Sequence, residues 1–244
     1  MRLDFEREGR NPNAFGLPRP SAVVAEGGGF VGDTRRGGSC NCETITLNPH
    51  GNGTHTECVG HVSTNRIAVA DVLTDIIIPA LIISVEPTNP TDTPDEEPRI
   101  TAESLSCALP VSHSLSDSAN SKIPPALIIR TLPNDPSKRE ALWSGNHPPF
   151  IEPSAMRLIR DAGVRHLLVD LPSVDPEQDE HLTSHRIFWG LPPTGPVEAD
   201  PTDGRTITEM IFVPDEVADG LYDITIQIPP FALDAAPSRV LIVG

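Results

Sequence analysis

Basic residues are scarce in this chain of 244 residues. It has 18 Lys and Arg against 34 Asp and Glu, which gives a formal net charge of -16 at pH 7. A protein that binds nucleic acid needs a basic surface to meet the phosphates. The composition therefore argues against a nucleic-acid partner.

Long apolar segments are missing as well. No run approaches the roughly 20 apolar residues of a membrane-spanning helix, and the opening sequence MRLDFE lacks the pattern of a secretory signal peptide. We therefore expect a cytoplasmic protein with no membrane partner. We also expect one domain over residues 1–244, with an extended N-terminal arm at 1–29 and an exposed, acidic, proline-rich loop at 87–98.

Cysteines are few and clustered, at Cys40, Cys42, Cys58 and Cys107. This is too few for a disulfide framework in a chain of this length. Two interpretations remain: the first three could supply sulfur ligands to zinc, or all are small buried residues in a reducing compartment. The second is favoured, because Cys is among the most buried residue types.

One stretch is rich in metal-binding side chains. Residues 48–61 contain His50, His55, Glu57 and His61. Histidine and carboxylate bind divalent metals of the zinc type, and histidine also transfers protons near neutral pH. His55 and Glu57 are two positions apart, so in an extended chain they point the same way and one metal could contact both.

The residues before this stretch indicate how His50 is presented. Two glycines after it exclude a helix, and residues 42–48 alternate as a half-buried strand, with Ile45 and Leu47 on one face. Continuing the alternation places His50 on the polar face. We therefore predict a strand that runs into a tight loop.

The rest of the chain reads as alternating strands and helices, which predicts an α/β class. A helix opened by a proline and closed by Gly163 is followed directly by a strand. The predicted helices lie at 67–73, from 101 onward and at 153–162, and the predicted strands at 76–85 (broken at Pro79), 126–131, 164–170, 206–212 and near the C-terminus.

The segment Gly53-Thr54-His55-x-Glu57-x-x-x-His61 resembles the His-x-Gly-Thr-His-x-Asp-x-Pro-x-His signature of the metal-dependent cyclase family, which includes bacterial kynurenine formamidases and isatin hydrolases. Further blocks resemble the family in the same order: Phe30-Val-Gly-Asp-Thr34, Leu127-Ile-Ile-Arg-Thr131, Leu171-Pro-Ser-Val-Asp175 and the C-terminal strands. The resemblance covers residues 30–244.

The signature departs from the family at three positions. Glu57 stands in place of aspartate and Val59 in place of proline. Counted back from His55, the first family histidine falls on Gly51, one position after His50. Counted forward from Asn41, His50 falls in the expected position, which indicates one inserted residue in the loop.

The resemblance implies a swivelling β/β/α fold, with mixed β-sheets flanked by a few helices, assembled as a homodimer or homotetramer. It also implies one or two zinc ions, or manganese. His50, His55 and Glu57 would hold the first metal, Glu57, His185 and Glu209 would hold the second, and His61 would move protons without binding metal. His185 is selected because it lies ten residues after Asp175, whereas His181 is a surface neighbour.

The implied reaction is hydrolysis of a small linear or cyclic amide by metal-activated water, of the arylformamidase type, and the resemblance also suggests a role in tryptophan catabolism. Aromatic residues make up only 4% of the chain, and the substrate-site candidates are Phe30, Trp143 and Trp189, of which Phe30 and Trp189 are favoured. An insertion at 190–204 would sit beside the site. The alternative is a metal- or ligand-binding protein of the same fold without turnover. His113, His147 and His166 match no motif and are interpreted as structural.

Overall fold

The structure, a computed structural model, describes residues 1, 3–5, 11–89, 97–109 and 123–243. The helices in this part of the chain are α1 (Val69–Val72), α2 (Ala102–Ala108), α3 (Pro153–Asp161) and α4 (Thr183–Trp189). The strands are β1 (Ser21–Val24), β2 (Glu26–Gly27), β3 (Phe30–Val31), β4 (Glu43–Thr46), β5 (His55–Cys58), β6 (Ile78–Val85), β7 (Arg99–Ile100), β8 (Ala126–Thr131), β9 (Phe150–Ile151), β10 (His166–Val169), β11 (Thr206–Glu209), β12 (Gly220–Gln227), β13 (Ala235–Pro237) and β14 (Arg239–Val243).

A mixed eight-stranded sheet forms the centre of the fold. Its strand order is β13-β5-β11-β10-β8-β6-β12-β14. The four middle strands, β11, β10, β8 and β6, are parallel, while β5 and β13 on one side and β12 and β14 on the other are antiparallel to their neighbours. This confirms the α/β class with a mixed sheet and few helices.

β6, β8 and β10 are largely apolar because both faces of the sheet are covered, whereas β11 carries Thr206, Thr208 and Glu209. In β8, Leu127 and Ile129 belong to one buried cluster, and Ala126 and Ile128 belong to another. Residues from α2, α3 and α4 pack into the first cluster, whereas the second is closed by side chains of β6 and β12. The sheet is thus the common wall of two apolar cores.

The helix boundaries follow the local signals. Thr101 and Ser104 form a capping box at the start of α2, each side chain accepting the other's backbone N–H. α3 begins at a proline, and Gly163 follows it with φ 83° in the left-handed region that glycine adopts without strain. These predictions are confirmed.

The predicted break of a strand at Pro79 is wrong. β6 continues through Pro79, which pairs with Asp223 of β12. Pairing with β8 starts only at Ala80. The proline therefore lies where β6 has a single neighbour, a position that tolerates a missing N–H donor.

The alternation predicted for residues 42–48 is also wrong as an account of His50. β4 is exposed along its length and pairs only with β1, so Ile45 is 56% exposed. His50 lies instead on a 3₁₀ turn, Pro49–Gly51, where the Asn48 side chain accepts the His50 N–H at 3.0 Å. The turn therefore orients His50, and the alternation of side chains along a strand does not.

The cysteines are free, and their burial differs from the expectation. Cys58 is buried, but Cys40, Cys42 and Cys107 are exposed. The expectation of small buried residues therefore holds only at Cys58, because the other three lie outside the sheet.

Two predicted features fall partly or wholly outside the described residues. Residues 90–96 of the acidic loop lie outside them, although Thr88 and Arg99 pair through both backbone N–H groups on either side of that gap. His113 lies outside them altogether.

None of the helices assigned in the described ranges has the length and apolar character needed to cross a bilayer.

His166 is a buried histidine of β10 whose ring makes two polar contacts. Its ring nitrogens lie 2.9 Å from Thr206 Oγ1 and 3.1 Å from Asp75 Oδ2. Burial lowers the pKa of His166 below its usual value, although the hydrogen bond to Asp75 acts in the opposite direction. The folded state therefore prefers the neutral ring, and the unfolded chain takes up a proton first as the pH falls.

We predict that the stability gained from this neutral ring is full above the unfolded-state pKa of about 6.5 and decreases as the pH falls below it. His166→Gln should thus cost more free energy of unfolding at pH 7.5 than at pH 5. Denaturant unfolding of the wild type and of His166→Gln at pH 7.5 and pH 5, with equal metal content in all samples, measures the difference in free energy of unfolding. An equal cost at both pH values would contradict it.

Candidate metal centre

The pairing of β5 with β11 brings the first site residues together. His55 lies directly opposite Glu209 in this antiparallel pair, and Glu57 lies opposite Ile207. Because side chains alternate between faces, His55, Glu57 and Glu209 share one face of the sheet. His55 Nε2 is 3.3 Å from Glu209 Oε2, and both side chains are buried.

His185 reaches the same face from α4. The Asp175 carboxylate accepts the backbone N–H groups of Ser184 and His185 and lies 2.6 Å from His185 Nδ1. The Nδ1–H bond to Asp175 leaves Nε2 directed at the sheet, 2.9 Å from Glu57 Oε1 and 3.6 Å from Glu209 Oε1. The spacing of ten residues between Asp175 and His185 thus reflects a carboxylate that caps the helix and orients its histidine.

His50 and His61 complete the cluster on its more open side. Their rings stack with centroids 4.2 Å apart. His50 Nδ1 is 3.1 Å from Glu57 Oε2, and His61 Nε2 is 3.9 Å from the same oxygen. Asp234 Oδ2 lies 2.9 Å from His50 Nε2 and 3.3 Å from His61 Nδ1. All six residues predicted for metal binding and proton transfer are therefore brought together.

The arrangement contains buried atoms that lack a hydrogen-bonding partner. Seven such side-chain atoms occur in the described residues, and four of them, His55 Nε2, both oxygens of Glu57 and His185 Nε2, meet at this one point. Buried polar atoms are normally paired, because an unpaired one costs about 1–3 kcal/mol. Nitrogen and carboxylate oxygen atoms in this arrangement fit a divalent metal of the zinc type.

Three overlapping groups of side chains could hold such an ion: His50, His55 and Glu57; His50, His61 and Asp234; and Glu57, His61 and His185. Within each group the ligand atoms lie within 4.8 Å of one another. Among the described residues no cysteine joins these groups, so the alternative with sulfur ligands has no support.

The electrostatics of the cluster require positive charge. Burial favours the neutral form of Glu57, but His61 and His185 outweigh it and hold the pKa of Glu57 well below its usual range. The pKa of Glu209 is also lowered, against burial and the neighbouring Glu57, by its contacts with His185 and His55. Despite burial, the hydrogen bond that His50 donates to Asp234 and its contact with the Glu57 carboxylate raise the pKa of His50 to about 10. A bound metal cation would supply the positive charge that these carboxylates require.

A cavity of about 270 Å³ opens onto the cluster. His50, His61, His185 and Glu209 form its polar floor. The remaining lining residues are Phe15, Ser173, Pro176, Glu177, Asp179 and Leu182. A volume of this size suits a small ligand with one ring and short substituents.

The predicted substrate-site aromatics do not line this cavity. Phe30 lies on β3, which pairs only with β2, and is 40% exposed. Trp189 is buried beside His185, with ring centroids 5.4 Å apart, and its Nε1–H donates to the Arg205 carbonyl. Phe15 is the aromatic residue in the lining, and Trp143 lies in a narrow recess next to it.

The insertion at 190–204 also contributes no side chain to the cavity lining. It packs against the segment that follows His61. The Val197 carbonyl accepts the Thr64 N–H at 2.8 Å, and the Ser63 hydroxyl accepts the Ala199 N–H at 2.9 Å. It therefore buttresses the loop that carries His61.

Sequence reasoning missed two carboxylates of the site. Asp234 precedes β13, and β13 pairs with β5, which explains how a residue so distant in sequence reaches His61. Its only sequence signal is a single acid in the apolar segment PFALDAAP. Asp175 was used only to measure the spacing to His185, because it lies eight residues before α4 and reaches the helix only through the fold.

The fold and the cluster define a class: a mixed-sheet protein with a buried His/Glu group that could hold a metal. Residues 9–176, more than half of the chain, match the family described as "Putative cyclase", and the chain belongs to this family. The matched region contains His50, His55, Glu57, His61 and Asp175, whereas His185, Glu209 and Asp234 follow it.

Solved structures share the fold. A predicted metal-dependent hydrolase from Bacillus stearothermophilus is 18% identical, over 95% of this chain and 96% of its own, with a TM-score of 0.56. Isatin hydrolase A from Labrenzia aggregata is 14% identical over 95% and 91%, with a TM-score of 0.59. A protein described as a novel cyclase is 13% identical over 99% and 86%, with a TM-score of 0.62. At these identities the likeness shows the cyclase fold alone, the swivelling β/β/α arrangement expected from the sequence.

We predict that Asp175→Asn weakens zinc binding by about 10- to 100-fold, because the amide no longer fixes the His185 ring through Nδ1. Competition with a chromophoric zinc chelator measures the affinity. Asp161→Asn, at the exposed end of α3, is the control and should bind as the wild type does. Equal affinity in both variants would show that the orientation of His185 does not matter for the metal.

Proposed function

We propose that this protein is a metal-dependent hydrolase that cleaves a C–N bond in a small linear or cyclic amide, in the manner of an arylformamidase. The observation that carries the proposal is the set of four unpaired buried atoms beside a cavity that His61 also lines. Family membership supports it, and so do the structural neighbours described as metal-dependent hydrolases.

His50, His55 and Glu57 are the residues that would hold one metal, and Glu57, His185 and Glu209 would hold a second if two ions bind. Their imidazole and carboxylate donors suit zinc and also accept manganese. A divalent metal bound here supplies a water of pKa near 7 and polarises a carbonyl oxygen.

His61 is the proton carrier in this proposal. Its Nδ1 faces Asp234 Oδ2 at 3.3 Å, while its Nε2 is directed toward Glu57 Oε2 at 3.9 Å. Asp234 holds the ring in one orientation and favours the Nδ1–H tautomer, which leaves Nε2 free to accept a proton. His61 takes the proton from the attacking water and delivers it to the amide nitrogen as the C–N bond breaks.

A nucleophilic side chain is not required. Cys58 is the cysteine nearest the site in sequence, but burial raises the pKa of its thiol to about 12, and its Sγ lies 3.6 Å from the Ile67 carbonyl. A thiol in this state is not a nucleophile at neutral pH. Direct attack by water is therefore the reaction we propose.

The proposed substrates are small aryl formamides and cyclic aryl amides. Isatin, the substrate that names three of the structural neighbours, is a cyclic amide of this class. The cavity of about 270 Å³ accepts one such ring system.

We also propose that the protein is cytoplasmic and forms a homodimer or homotetramer. Analytical ultracentrifugation would test the oligomeric state.

We predict that zinc- or manganese-loaded protein hydrolyses formanilide or isatin. We also predict that His61→Ala keeps its metal but loses about 10²- to 10⁴-fold in kcat, the usual contribution of a positioned acid–base group. Product formation and elemental analysis on the same samples give both quantities. His181→Ala, which removes an exposed histidine just before α4, is the matched control and should retain activity.

Metal-loaded wild type that turns over neither amide would overturn the hydrolase proposal in favour of a binding protein of the same fold. Loss of metal together with activity in His61→Ala would instead make His61 a ligand. The group Glu57, His61 and His185 is close enough for that outcome.

A further inference from the structure

The cavity beside the cluster is lined by carboxylates beyond those assigned to the metal. Glu177 and Asp179 lie on its wall, two and four positions after Asp175. Among the described lining residues there is no lysine or arginine. The described salt bridges include none to Glu177 or Asp179. Glu177 and Asp179 therefore place negative charge on the wall of the cavity, whereas the histidines lie on its floor.

The two carboxylates differ in what they can offer a ligand. Asp179 is committed to the turn before α4, because one oxygen accepts the His181 N–H and the other accepts the Thr183 N–H. Glu177 is held by a single bond, from the Gly145 N–H to Oε2 at 2.8 Å. Its position is thus fixed while Oε1 can accept a further donor.

The cavity opens directly onto the proposed metal site, because His185, one of the proposed ligands, lines it. Phe15 forms an apolar part of the wall and is 39% exposed. The Gly16 N–H, next to Phe15, donates to Ser144 Oγ at 2.7 Å, which anchors this loop.

We propose that the cavity selects aryl amides whose ring bears an ammonium group or no charge and disfavours those bearing a carboxylate, with Glu177 as the specificity-determining residue. This inference rests on the proposed function and narrows its substrate class. Phe15 packs against the ring, and Glu177 Oε1 accepts a hydrogen bond from the cationic substituent.

A second carboxylate, Glu97, lies close enough to Glu177 to respond to its charge. Burial raises the pKa of Glu97, His147 at 3.9 Å opposes this, and the charge of Glu177 adds to the increase. The whole chain carries a formal charge of -16. Such a field attracts cations and repels anions. A ligand whose carboxylate lies near Glu177 would therefore be rejected by the repulsion between the two like charges.

The test compares three substrates with the same ring and scissile bond: formanilide, 4-(aminomethyl)formanilide and 4-formamidobenzoate. For the metal-loaded wild type we expect kcat/KM to be highest for the cation and lowest for the anion. Glu177→Gln should reduce the ratio of cation to anion by roughly three- to tenfold, the range of a partly exposed charge pair. Gln can still accept the Gly145 N–H, so the loop should keep its position.

Glu180→Gln is the matched control, since it removes the same charge from an exposed position outside the cavity lining. It should leave the ratio unchanged. A ratio that does not change in Glu177→Gln, or a wild type that prefers the carboxylate substrate, would overturn the inference.

Binding of the corresponding amines separates this inference from the proposed function. Calorimetry on metal-loaded wild type and Glu177→Gln would use 4-aminobenzylamine, aniline and 4-aminobenzoate as probes. If no formanilide is hydrolysed, the hydrolase proposal fails, yet a preference for 4-aminobenzylamine that weakens in Glu177→Gln still supports the inference. Tighter binding of 4-aminobenzoate to the wild type would contradict it.

Discussion

The burial of two carboxylates side by side is the constraint on which the site depends. Glu57 and Glu209 lie on one face of adjacent strands, and both side chains are almost completely enclosed. Burying an ion costs several kcal/mol even after the protein relaxes, and a second like charge beside it adds to the cost. Positive charge must compensate, and His55, His50, His61 and His185 surround the two carboxylates for this reason. A bound divalent metal would satisfy the same requirement and leave the imidazoles neutral.

The supporting structure keeps this cluster in place. Asp175 caps α4 and orients His185. Asp234 directly precedes β13, the strand that pairs with β5, and contacts both His50 and His61. The Glu57 side chain is one methylene longer than the aspartate of the family signature. We propose that the inserted residue inferred from the sequence for the loop that presents His50 compensates for this longer side chain.

Local features of the fold could be predicted from the sequence, and non-local ones could not. The capping box at Thr101, the bounds of α3 and the shared face of His55 and Glu57 depend on neighbouring residues alone, and they are confirmed. The contact of Asp234 with His61 spans 173 positions and depends on how β13 joins the sheet. The strand alternation that was used to orient His50 was wrong, because a short turn interrupts the strand before this residue. Phe15 was missed because only the folded loop brings it to the cavity.

Anomalous diffraction from crystals of zinc-loaded protein, measured at the zinc absorption edge, tests the central claim most directly. The account predicts a peak enclosed by His50, His55 and Glu57, within the roughly 2.0–2.2 Å that zinc keeps from nitrogen and oxygen ligands. A second peak between Glu57, His185 and Glu209 would be compatible with a two-ion site. Zinc bound only at surface histidines such as His147 or His181, with these buried atoms left without a metal, would contradict the account.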